Sequence, residues 1–483
     1  FPDIPVLGLS DGERTVGDKK NEWATLGYFG RLSYNYKERY LFEFNGRYDG
    51  SAKFMQGKRW GFFPSFSLAY NMAREDFWND YQDLVNNLKI RFSYGTLGNQ
   101  NVADYTFLPQ LKHDYADFII GGIRPIYVSN PAIINPSLTW EKSRTLNLGL
   151  DIGALSNKFL LGLDVYQRVT DNMFGPSVQL PGVLGGEIPQ SNNASLSTTG
   201  FDLSLEWRDN IQDFSYGIRV NLSDYQTTIK EFYNPTGILS TWCKERKLGE
   251  IWGYETERFF TDDDFIITDN NGVKSYQLKD NIPNQDYIYS EWKPGYKDIN
   301  NDGKIDEGNN TVYDSGDKKV IGNSTPRFQY GIMFDAAYKG FDFKLFFEGI
   351  GKCDIWTNDV TFWGFESWGQ TGLMVQHLDY WREDNPNAYY PRPYMESYLN
   401  AKNHKTQSKY LLNAAYLRLK NIQLGYTIPK NLLKYILLDR ARIYISGENL
   451  FTVTNFPDFY DPEAYGKVHP IQKHISVGIN VAF

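Results

Sequence analysis

The sequence lacks the features that mark several common protein classes. Its 483 residues include only 2 cysteines, and no apolar run approaches the roughly 18 residues that a membrane-spanning helix needs. Cys243 and Cys353 could form a disulfide or remain free, because their spacing does not decide between the two states. The mean hydropathy of −0.50 still permits a membrane β-barrel, since a barrel strand shows lipid only its alternate residues.

Positive charge and catalytic motifs are also scarce. Lysine and arginine number 50 against 58 aspartate and glutamate, so the formal net charge is −8. Because there is also no dense basic stripe, we expect no nucleic-acid partner. The 5 histidines show no metal-ligand spacing, and no Ser/His/Asp arrangement has the sequence context of an activated nucleophile. We therefore do not expect an enzyme.

Aromatic residues, in contrast, are abundant, and apolar residues alternate with polar ones. The chain contains 35 Tyr, 32 Phe and 12 Trp, of which Tyr and Trp are favoured where a side chain meets both an apolar medium and water. In the segment 474–483, for example, Ile475, Val477 and Ile479 share one face. A side-chain period of two predicts β-strands with one face in an apolar medium and the other in water.

The alternation predicts an all-β protein with thirteen long strands. They are 25–37, 39–49, 62–73, 84–96, 141–153, 158–170, 197–208, 214–225, 327–339, 341–349, 411–427, 440–451 and 471–483. One further strand-like segment, 250–260, is assigned to a loop because a spanning strand there would disturb the alternation of strand directions.

The lengths of the connections distinguish a barrel from a soluble sandwich. Short or moderate connections alternate with connections that are mostly far longer, of which the largest are 97–140, 226–326 and 350–410. Short turns at one end and long loops at the other are typical of outer-membrane barrels, whereas sandwiches scatter their loop lengths between both ends. We therefore predict an antiparallel transmembrane β-barrel with short periplasmic turns and long extracellular loops.

The number of predicted strands is odd, whereas complete bacterial single-chain barrels have an even number. The chain also begins at Phe1, without an initiating Met or a signal peptide. We therefore expect further strands upstream of Phe1. In this interpretation residues 1–24 are an extracellular loop or linker remnant, and residues 25–483 are the C-terminal part of the barrel.

A series of short phrases resembles the SusC-like TonB-dependent transporters of the Bacteroidetes outer membrane. The phrases are 28–40, 61–65, 91–100, 138–142, 338–342, 416–421, 447–451 and the terminal Phe483. The resemblance implies a barrel of about 22 strands with a plugged lumen, of which the chain would supply the last thirteen. The plug domain and the segment that contacts TonB would then lie outside this sequence.

The resemblance also implies a function and partners. It implies TonB-dependent active import of oligosaccharides or oligopeptides by the transporter subunit of a SusCD-like complex. The long loops at 226–326 and 350–410 would dock a SusD-like surface lipoprotein, the TonB complex would act through the N-terminal part, and two such units could form a dimer. Two alternatives stay open, namely a passive porin and an adhesin with calcium-stabilised loops.

The segment 298–306 has the composition of a calcium-binding loop. It offers oxygen ligands at positions 1, 3, 5 and 9, a glycine at position 6 (Gly303) and a backbone carbonyl at position 7. Position 12 is Asn309 instead of Glu, and a later aspartate is predicted to replace it. The predicted Ca²⁺ ligands are Asp298, Asn300, Asp302, Lys304, Asp306 and Asp317. The alternative is a solvated turn without metal.

Aromatic side chains of the loop 350–410 are candidates for substrate binding, because flat rings stack on sugars and peptide side chains. The candidates are Trp356, Trp363, Trp368, Trp381, Tyr389 and Tyr390. For each of them the alternative is a packing role between loops. Charged residues that alternate with the apolar ones, such as Glu43 and Arg47, are explained by a wet lumen wall.

Overall fold

The structure is a computed structural model and is dominated by one antiparallel sheet. It describes residues 20–483 except 110, 112, 129–132, 176–188, 190, 286–293, 365–371, 383, 394–402, 434–437, 467–468 and 470. The sheet has 14 strands, and thirteen of them lie side by side in chain order. Within the described residues, no helix has the length and apolar character required to cross a membrane.

The thirteen consecutive strands confirm the predicted set. They are β1 (Thr25–Tyr36), β2 (Tyr40–Ser51), β3 (Trp60–Asn71), β4 (Val85–Asn99), β5 (Glu141–Ala154), β6 (Phe159–Phe174), β7 (Asn192–Ile211), β8 (Phe214–Phe232), β9 (Arg327–Tyr338), β10 (Phe341–Lys352), β11 (Tyr416–Thr427), β12 (Arg440–Glu448) and β13 (His474–Ala482). The remaining strand of the sheet, Thr452–Thr454, pairs with the beginning of β11.

The register of the sheet aligns apolar residues in rows on one face. One row crosses seven neighbouring strands through residues that are paired in sequence from strand to strand. It consists of Tyr34, Phe42, Leu68, Phe92, Leu148, Val165 and Phe201. Leu68, Leu148 and Val165 are exposed. Because an exposed apolar face of this width is unfavourable in water, we assign it to lipid, as in outer-membrane barrels.

Aromatic residues border this outward face at both ends. Near the 50–60 connection, Trp60 stacks on Tyr48 with 4.9 Å between the ring centroids. At the opposite end, where the turns are short, Tyr40 stacks on Tyr70 at 5.2 Å. Two aromatic belts of this kind are typical of the two membrane–water boundaries of a barrel.

The short turns are stabilised by residues with left-handed backbone conformation. Between β9 and β10, Lys339 and Gly340 have φ values of 45° and 89°. Two consecutive positive φ values match the type I′ turn, whose twist suits a two-residue hairpin. A side chain at Gly340 would also approach the carbonyl oxygen of Thr427 to 2.9 Å. The turn therefore favours glycine for both conformation and space.

The long connections are themselves folded. Pairs of short strands are His113–Tyr115 with Ile126–Val128, Glu250–Tyr254 with Lys318–Asn323, Thr256–Phe259 with Pro294–Tyr296, Phe265–Asn270 with Val273–Leu278, Asn284–Gln285 with Lys304–Ile305, and Asp354–Ile355 with Leu412–Asn413. Single helical turns are Met72–Arg74, Asp76–Tyr81, Asp262–Asp264, Val360–Trp363, Val375–Leu378, Ser408–Tyr410 and Lys430–Leu433. The segment 250–260 thus lies outside the main sheet, as predicted.

The largest buried apolar cluster lies in the long loops and not within the sheet. Phe362, Trp363, Tyr390 and Tyr410 pack together there with Leu412. This location follows from the two-sided environment of the sheet, whose outward face contacts lipid and whose other face is polar. The loops, in contrast, need a core of their own because they stand in water.

Candidate functional site in the barrel wall and the long loops

The inward face of the sheet carries charged residues that are paired across neighbouring strands. Arg91 of β4 donates to Asp151 of β5 through Nε and Nη2, both at 2.9 Å. Its Nη1 and Nη2 also donate to Asp164 of β6, at 3.0 and 2.9 Å. Asn147 donates to the same Asp164 at 2.7 Å. One guanidinium thus bridges two carboxylates that come from two other strands, and Lys89 adds a second cation 3.7 Å from Asp151.

Two further pairs repeat this arrangement along the wall. Arg219 donates to Glu206 at 2.9 and 2.8 Å, and Arg442 donates to Asp342 at 2.8 and 2.5 Å. Such charge-assisted pairs keep a face polar while most of its charges have partners. The wall therefore suits a water-filled or protein-filled lumen better than an apolar core.

The two largest described loops are joined by a set of hydrogen bonds that we call the loop joint. Tyr254 N donates to Thr406 O at 2.9 Å, and Thr256 N donates to Ser408 Oγ at 2.9 Å. Thr256 Oγ1 also donates to Gln407 Oε1 at 3.0 Å. Gln407 is fully buried, so its side-chain amide cannot form hydrogen bonds with bulk water. Residues about 150 positions apart in sequence thus form one structural unit.

Aromatic packing extends the loop joint towards the Asp-rich segment. The rings of Tyr254 and Tyr296 stack with 4.8 Å between their centroids, and both are buried with Ile305. Gln407 Nε2 donates to the hydroxyl of Tyr296 at 3.3 Å. Because Ile305 belongs to the segment 298–306, the order of that segment and the order of the joint depend on each other.

The segment 298–306 forms a compact turn that gathers most of the predicted Ca²⁺ ligands. Asp298 accepts hydrogen bonds from the backbone of Asn301 at 2.6 Å and of Gly303 at 2.9 Å. Asp302 accepts from Lys304 N at 2.8 Å. Asn301 and Gly303 have φ values of 61° and 80°, which allow the sharp bend. The carboxylates therefore face the inside of the turn.

Asp317 lies against the same turn, as predicted. Its side chain is fully buried and accepts from Ile299 N at 2.7 Å and from Asp306 N at 2.9 Å. No described lysine or arginine forms an ion pair with it. A buried carboxylate without a cationic side chain is unusual, and it fits a cation site. However, the described residues contain no group of three or more His, Cys, Asp or Glu placed to hold a metal.

Two ion pairs hold the loop 226–326 in shape. Arg258 donates to the buried Asp264 at 2.5 and 2.6 Å, and these hydrogen bonds lower the pKa of the Asp264 carboxyl. Lys318 donates to Glu307, which likewise lowers the pKa of that carboxyl. Both carboxylates therefore remain charged under more acidic conditions than an unpaired side chain would.

Burial favours the packing alternative for several of the aromatic residues that are predicted to bind substrate. Trp363, Trp381 and Tyr390 are buried, and Trp356 packs against Trp363 at 5.8 Å. These rings stabilise the loop core, which is the packing role considered as the alternative. Tyr389 keeps part of its surface exposed, and burial of the remainder raises its pKa to about 12. Trp368 lies outside the described residues.

His404 is a half-buried residue that the sequence did not single out. Its ring stacks on Trp363 with 4.1 Å between the centroids. Burial lowers the pKa of His404 from 6.5 to about 4, because the charged imidazolium would lose its hydration. No local motif surrounds His404, so only the fold reveals its environment.

The cysteines do not form the disulfide that the sequence left open. Cys243 and Cys353 are both buried and free. The sulfur of Cys243 lies 2.9 Å from Asn234 Nδ2, whereas that of Cys353 lies 3.4 Å from Ser324 O. Each sulfur therefore has its own polar environment. Burial also raises the pKa of Cys353, so its reactive thiolate is disfavoured.

A polar cavity lies at the extracellular end of β8, where the chain leaves the main sheet. It has a volume of about 520 Å³, and its lining includes Thr227, Lys247, Asn323, Thr325 and Lys352. Hydroxyl, amide and ammonium groups can hydrogen-bond to hydrophilic ligands. The cavity therefore offers polar groups to such a ligand beside the apolar side chains of Leu248, Val320 and Ile321.

Comparison with known proteins identifies the family. The model of the family described as TonB dependent receptor-like, beta-barrel matches residues 3–450. The chain belongs to this family. The predicted fold, the family and the outer-membrane location are therefore confirmed.

Individual relatives support the same assignment. The chain is 29% identical to TonB-dependent receptor P3 of Formosa agariphila over 464 residues, which cover 92% of this chain and 42% of P3. It is 28% identical to TonB-dependent receptor SusC of Bacteroides thetaiotaomicron over 449 residues, which cover 91% of this chain and 41% of SusC. The chain thus spans less than half the length of these relatives.

Among solved structures, a RagAB peptide importer in its 'closed-closed' state resembles the chain with a TM-score of 0.73. The identity is 24%, and the match covers 96% of this chain and 48% of that chain. At this identity the similarity shows the fold alone.

Proposed function

We propose that the chain is part of a TonB-dependent importer that carries oligosaccharides or oligopeptides across the outer membrane. The observation that carries this proposal is the opposition of a lipid-facing apolar row to an inward face of paired charges. That combination suits a wall around a polar passage. Membership of the receptor-barrel family favours energised import over the passive porin and the adhesin. Transport, and not catalysis, is the proposed activity.

The proposed substrate is a hydrophilic oligomer. The cavity at the end of β8 offers hydroxyl, amide and ammonium groups, which can bind sugar hydroxyls as well as peptide amides. Oligosaccharides are the first candidate because of the resemblance to SusC-like transporters. Oligopeptides are the second, since the RagAB neighbour is described as a peptide importer.

The proposed partners are a SusD-like surface lipoprotein and, through the N-terminal part, the TonB complex. Support for the lipoprotein comes from the loop joint, which unites parts of the loops 226–326 and 350–410 into one surface. A single surface made of two loops can bind a large partner without first paying the entropy of ordering each loop. A dimer of such two-protein units is part of the same proposal.

An uptake assay tests the proposed activity. A strain that lacks the gene should fail to accumulate fluorescent oligosaccharides or oligopeptides, and the gene should restore accumulation. Deletion of TonB from a strain that carries the gene should abolish uptake of either substrate, because the proposed import requires energy from the inner membrane. Uptake that persists without TonB, together with steady open conductance in planar bilayers, would support the porin instead.

We further propose that the turn 298–306 binds Ca²⁺ together with the buried Asp317, with a structural role in the extracellular loop. Asp298, Asn300, Asp302 and Asp306 would supply side-chain oxygens, and Lys304 its carbonyl. The support is the buried carboxylate of Asp317 and the inward-facing carboxylates of the turn.

Limited proteolysis of the intact protein tests the calcium proposal. We expect a chelator to increase cleavage in the region 294–323 several-fold and Ca²⁺ to reverse this effect. The double variant Asp298→Asn with Asp302→Asn should be cleaved rapidly with or without Ca²⁺. Asp269→Asn, in the separate hairpin 265–278, is the control and should respond like the wild type. Equal cleavage of the wild type with and without chelator would refute the site.

A further inference from the structure

The connection between β3 and β4 exposes three large apolar side chains at the short-turn end of the sheet. Phe77, Tyr81 and Leu84 are 62%, 58% and 60% exposed. The connection contains the helical turns Met72–Arg74 and Asp76–Tyr81, and we call residues 75–84 the aromatic turn. Large apolar side chains clustered on an exposed turn indicate a surface that contacts something other than water.

The aromatic turn lies directly beyond the aromatic belt of the outward face. Tyr40 and Tyr70, which belong to that belt, stack at 5.2 Å. The hydroxyl of Tyr40 donates to Glu75 Oε1 at 2.8 Å. Glu75 therefore lies within one hydrogen bond of a lipid-facing ring. The aromatic turn thus continues the established lipid-contacting surface towards the periplasm.

Side-chain contacts hold the aromatic turn in a defined position. Arg39 donates to Glu75 at 3.0 Å and to Asp76 at 2.6 Å. The indole nitrogen of Trp78 donates to Val85 O at 2.9 Å, and the rings of Trp78 and Tyr81 lie 5.6 Å apart. The exposed rings are therefore presented by an anchored segment, and their exposure is not a consequence of a loose loop.

We propose that the aromatic turn inserts Phe77, Tyr81 and Leu84 into the headgroup boundary of the periplasmic leaflet. Aromatic side chains favour this boundary because one part of the ring is apolar while the edge or hydroxyl stays wet. Asp80 and Asp83 lie between the apolar residues, and no described cation forms an ion pair with either. Ammonium headgroups can supply that missing charge, so the partner is an amine-bearing phospholipid.

Depth-dependent quenching in the intact, reconstituted protein tests the proposal. A bimane label at Phe77→Cys, with all other cysteines replaced, should be quenched several-fold more by phospholipid brominated near the headgroup than a label at Ser156→Cys. Ser156 is an exposed residue of the neighbouring turn between β5 and β6, so it provides the matched control. Tyr81→Cys is a second labelled position in case Phe77→Cys assembles poorly. Equal quenching at positions 77, 81 and 156 would overturn the proposal.

Lipid contact and exposure to water give different results in this assay. A label that stays in water would be quenched by aqueous acrylamide without any quenching by brominated lipid, and that result would also overturn the proposal. Replacement of phosphatidylethanolamine by phosphatidylglycerol should reduce quenching, because anionic headgroups would face the two aspartates. The variant Asp80→Asn with Asp83→Asn should lose this dependence; if it does not, the amine contact is refuted.

Discussion

At the scale of single residues, the barrel wall is stabilised by arginines that form ion pairs with more than one carboxylate. Arg91 contacts both Asp151 and Asp164, and about a third of its side chain is exposed. Because it bridges two carboxylates, its loss leaves Asp164 without its cationic partner and Asp151 with only the more distant Lys89, at 3.7 Å. The effect of losing Arg91 should therefore exceed that of losing a residue from a simple pair.

We expect Arg91→Met to lower the free energy of unfolding by about 1–2 kcal/mol, a value reduced from that of a fully buried pair because water screens the site. Urea unfolding of the intact protein in detergent measures the change. Arg208→Met is the control. Arg208 forms a more exposed ion pair with Glu206, so its loss should lower the free energy of unfolding by less. Adding Asp151→Asn and Asp164→Asn to Arg91→Met should restore part of the lost stability; no restoration would contradict the electrostatic explanation.

A second residue-scale effect concerns the half-buried His404, whose pKa is lowered to about 4. In the unfolded loop the pKa returns to near 6.5, so protons bind preferentially to the unfolded form between these values. Stability of the loop core is thus fully present above about pH 6.5 and declines as the pH falls towards 4. Hydrogen exchange of residues 403–410 should accelerate over this range, and His404→Gln should remove the dependence. An unchanged profile in the variant would exclude His404 as the cause.

At the scale of elements, the loop joint makes two loops act as one structural unit. Gln407 links them because its carbonyl accepts from Thr256 while its amide donates to Asn403 O at 2.7 Å and to Tyr296. An amide that is fully buried in such a network cannot exchange these partners for water. The joint should therefore open as a unit when one of its central groups is removed.

We expect Gln407→Ala to destabilise the closed joint by about 1–3 kcal/mol, because buried hydrogen-bonding groups lose their partner. Hydrogen exchange should then increase at residues 250–260 as well as at 403–410. Gln277→Ala, on an exposed strand of the hairpin 265–278, should leave both segments unchanged. Faster exchange at 403–410 alone would show that the loops are not coupled through this residue.

At the scale of the whole molecule, the two faces of the sheet have different solvents. Leu148 lies in the middle of the apolar row, whereas Ser67 points inward and is paired in register with Glu43. A charge on the outward face loses its hydration in lipid, while a charge on the inward face keeps water or a partner. The same substitution should therefore have opposite consequences on the two faces.

We expect Leu148→Lys to destabilise the barrel by about 2–4 kcal/mol, the cost of a lysine near the bilayer midplane. Ser67→Lys should have little effect or stabilise slightly, because Glu43 lies opposite. Heat-modifiability on gels and urea unfolding of the intact protein in lipid measure both variants. Similar costs for the two would contradict the assignment of faces.

The strands could be predicted from the sequence because successive side chains face lipid and the polar lumen in turn, so apolar and polar residues alternate. Strand ends were less predictable. β7 begins at Asn192, five residues before the predicted start, because Ala194, Ser195 and Leu196 continue the pairing with β8. β12 ends before Asn449, whose φ of 53° ends the strand.

The structure of the loops could be predicted only where the interacting residues are close in sequence. The turn 298–306 is local, so its composition was sufficient to find it. The contact between Thr256 and Gln407 joins residues 151 positions apart, and nothing near either residue signals the other. The same holds for the burial of Trp363 and Tyr390, since an aromatic residue that packs and one that binds look alike in a sequence.

The triangle of Arg91, Asp151 and Asp164 also bears on how neighbouring strands find their alignment. A register shift of β5 by two residues keeps every side chain on the same face of the sheet. Contacts between apolar side chains and lipid would therefore not prevent this shift. Because Arg91 is paired in register with Gly149, a slip that places Asn147 opposite Arg91 would move Asp151 two residues further from the guanidinium and break this ion pair. The ion pairs therefore select one strand register among alternatives that lipid contacts alone would not distinguish.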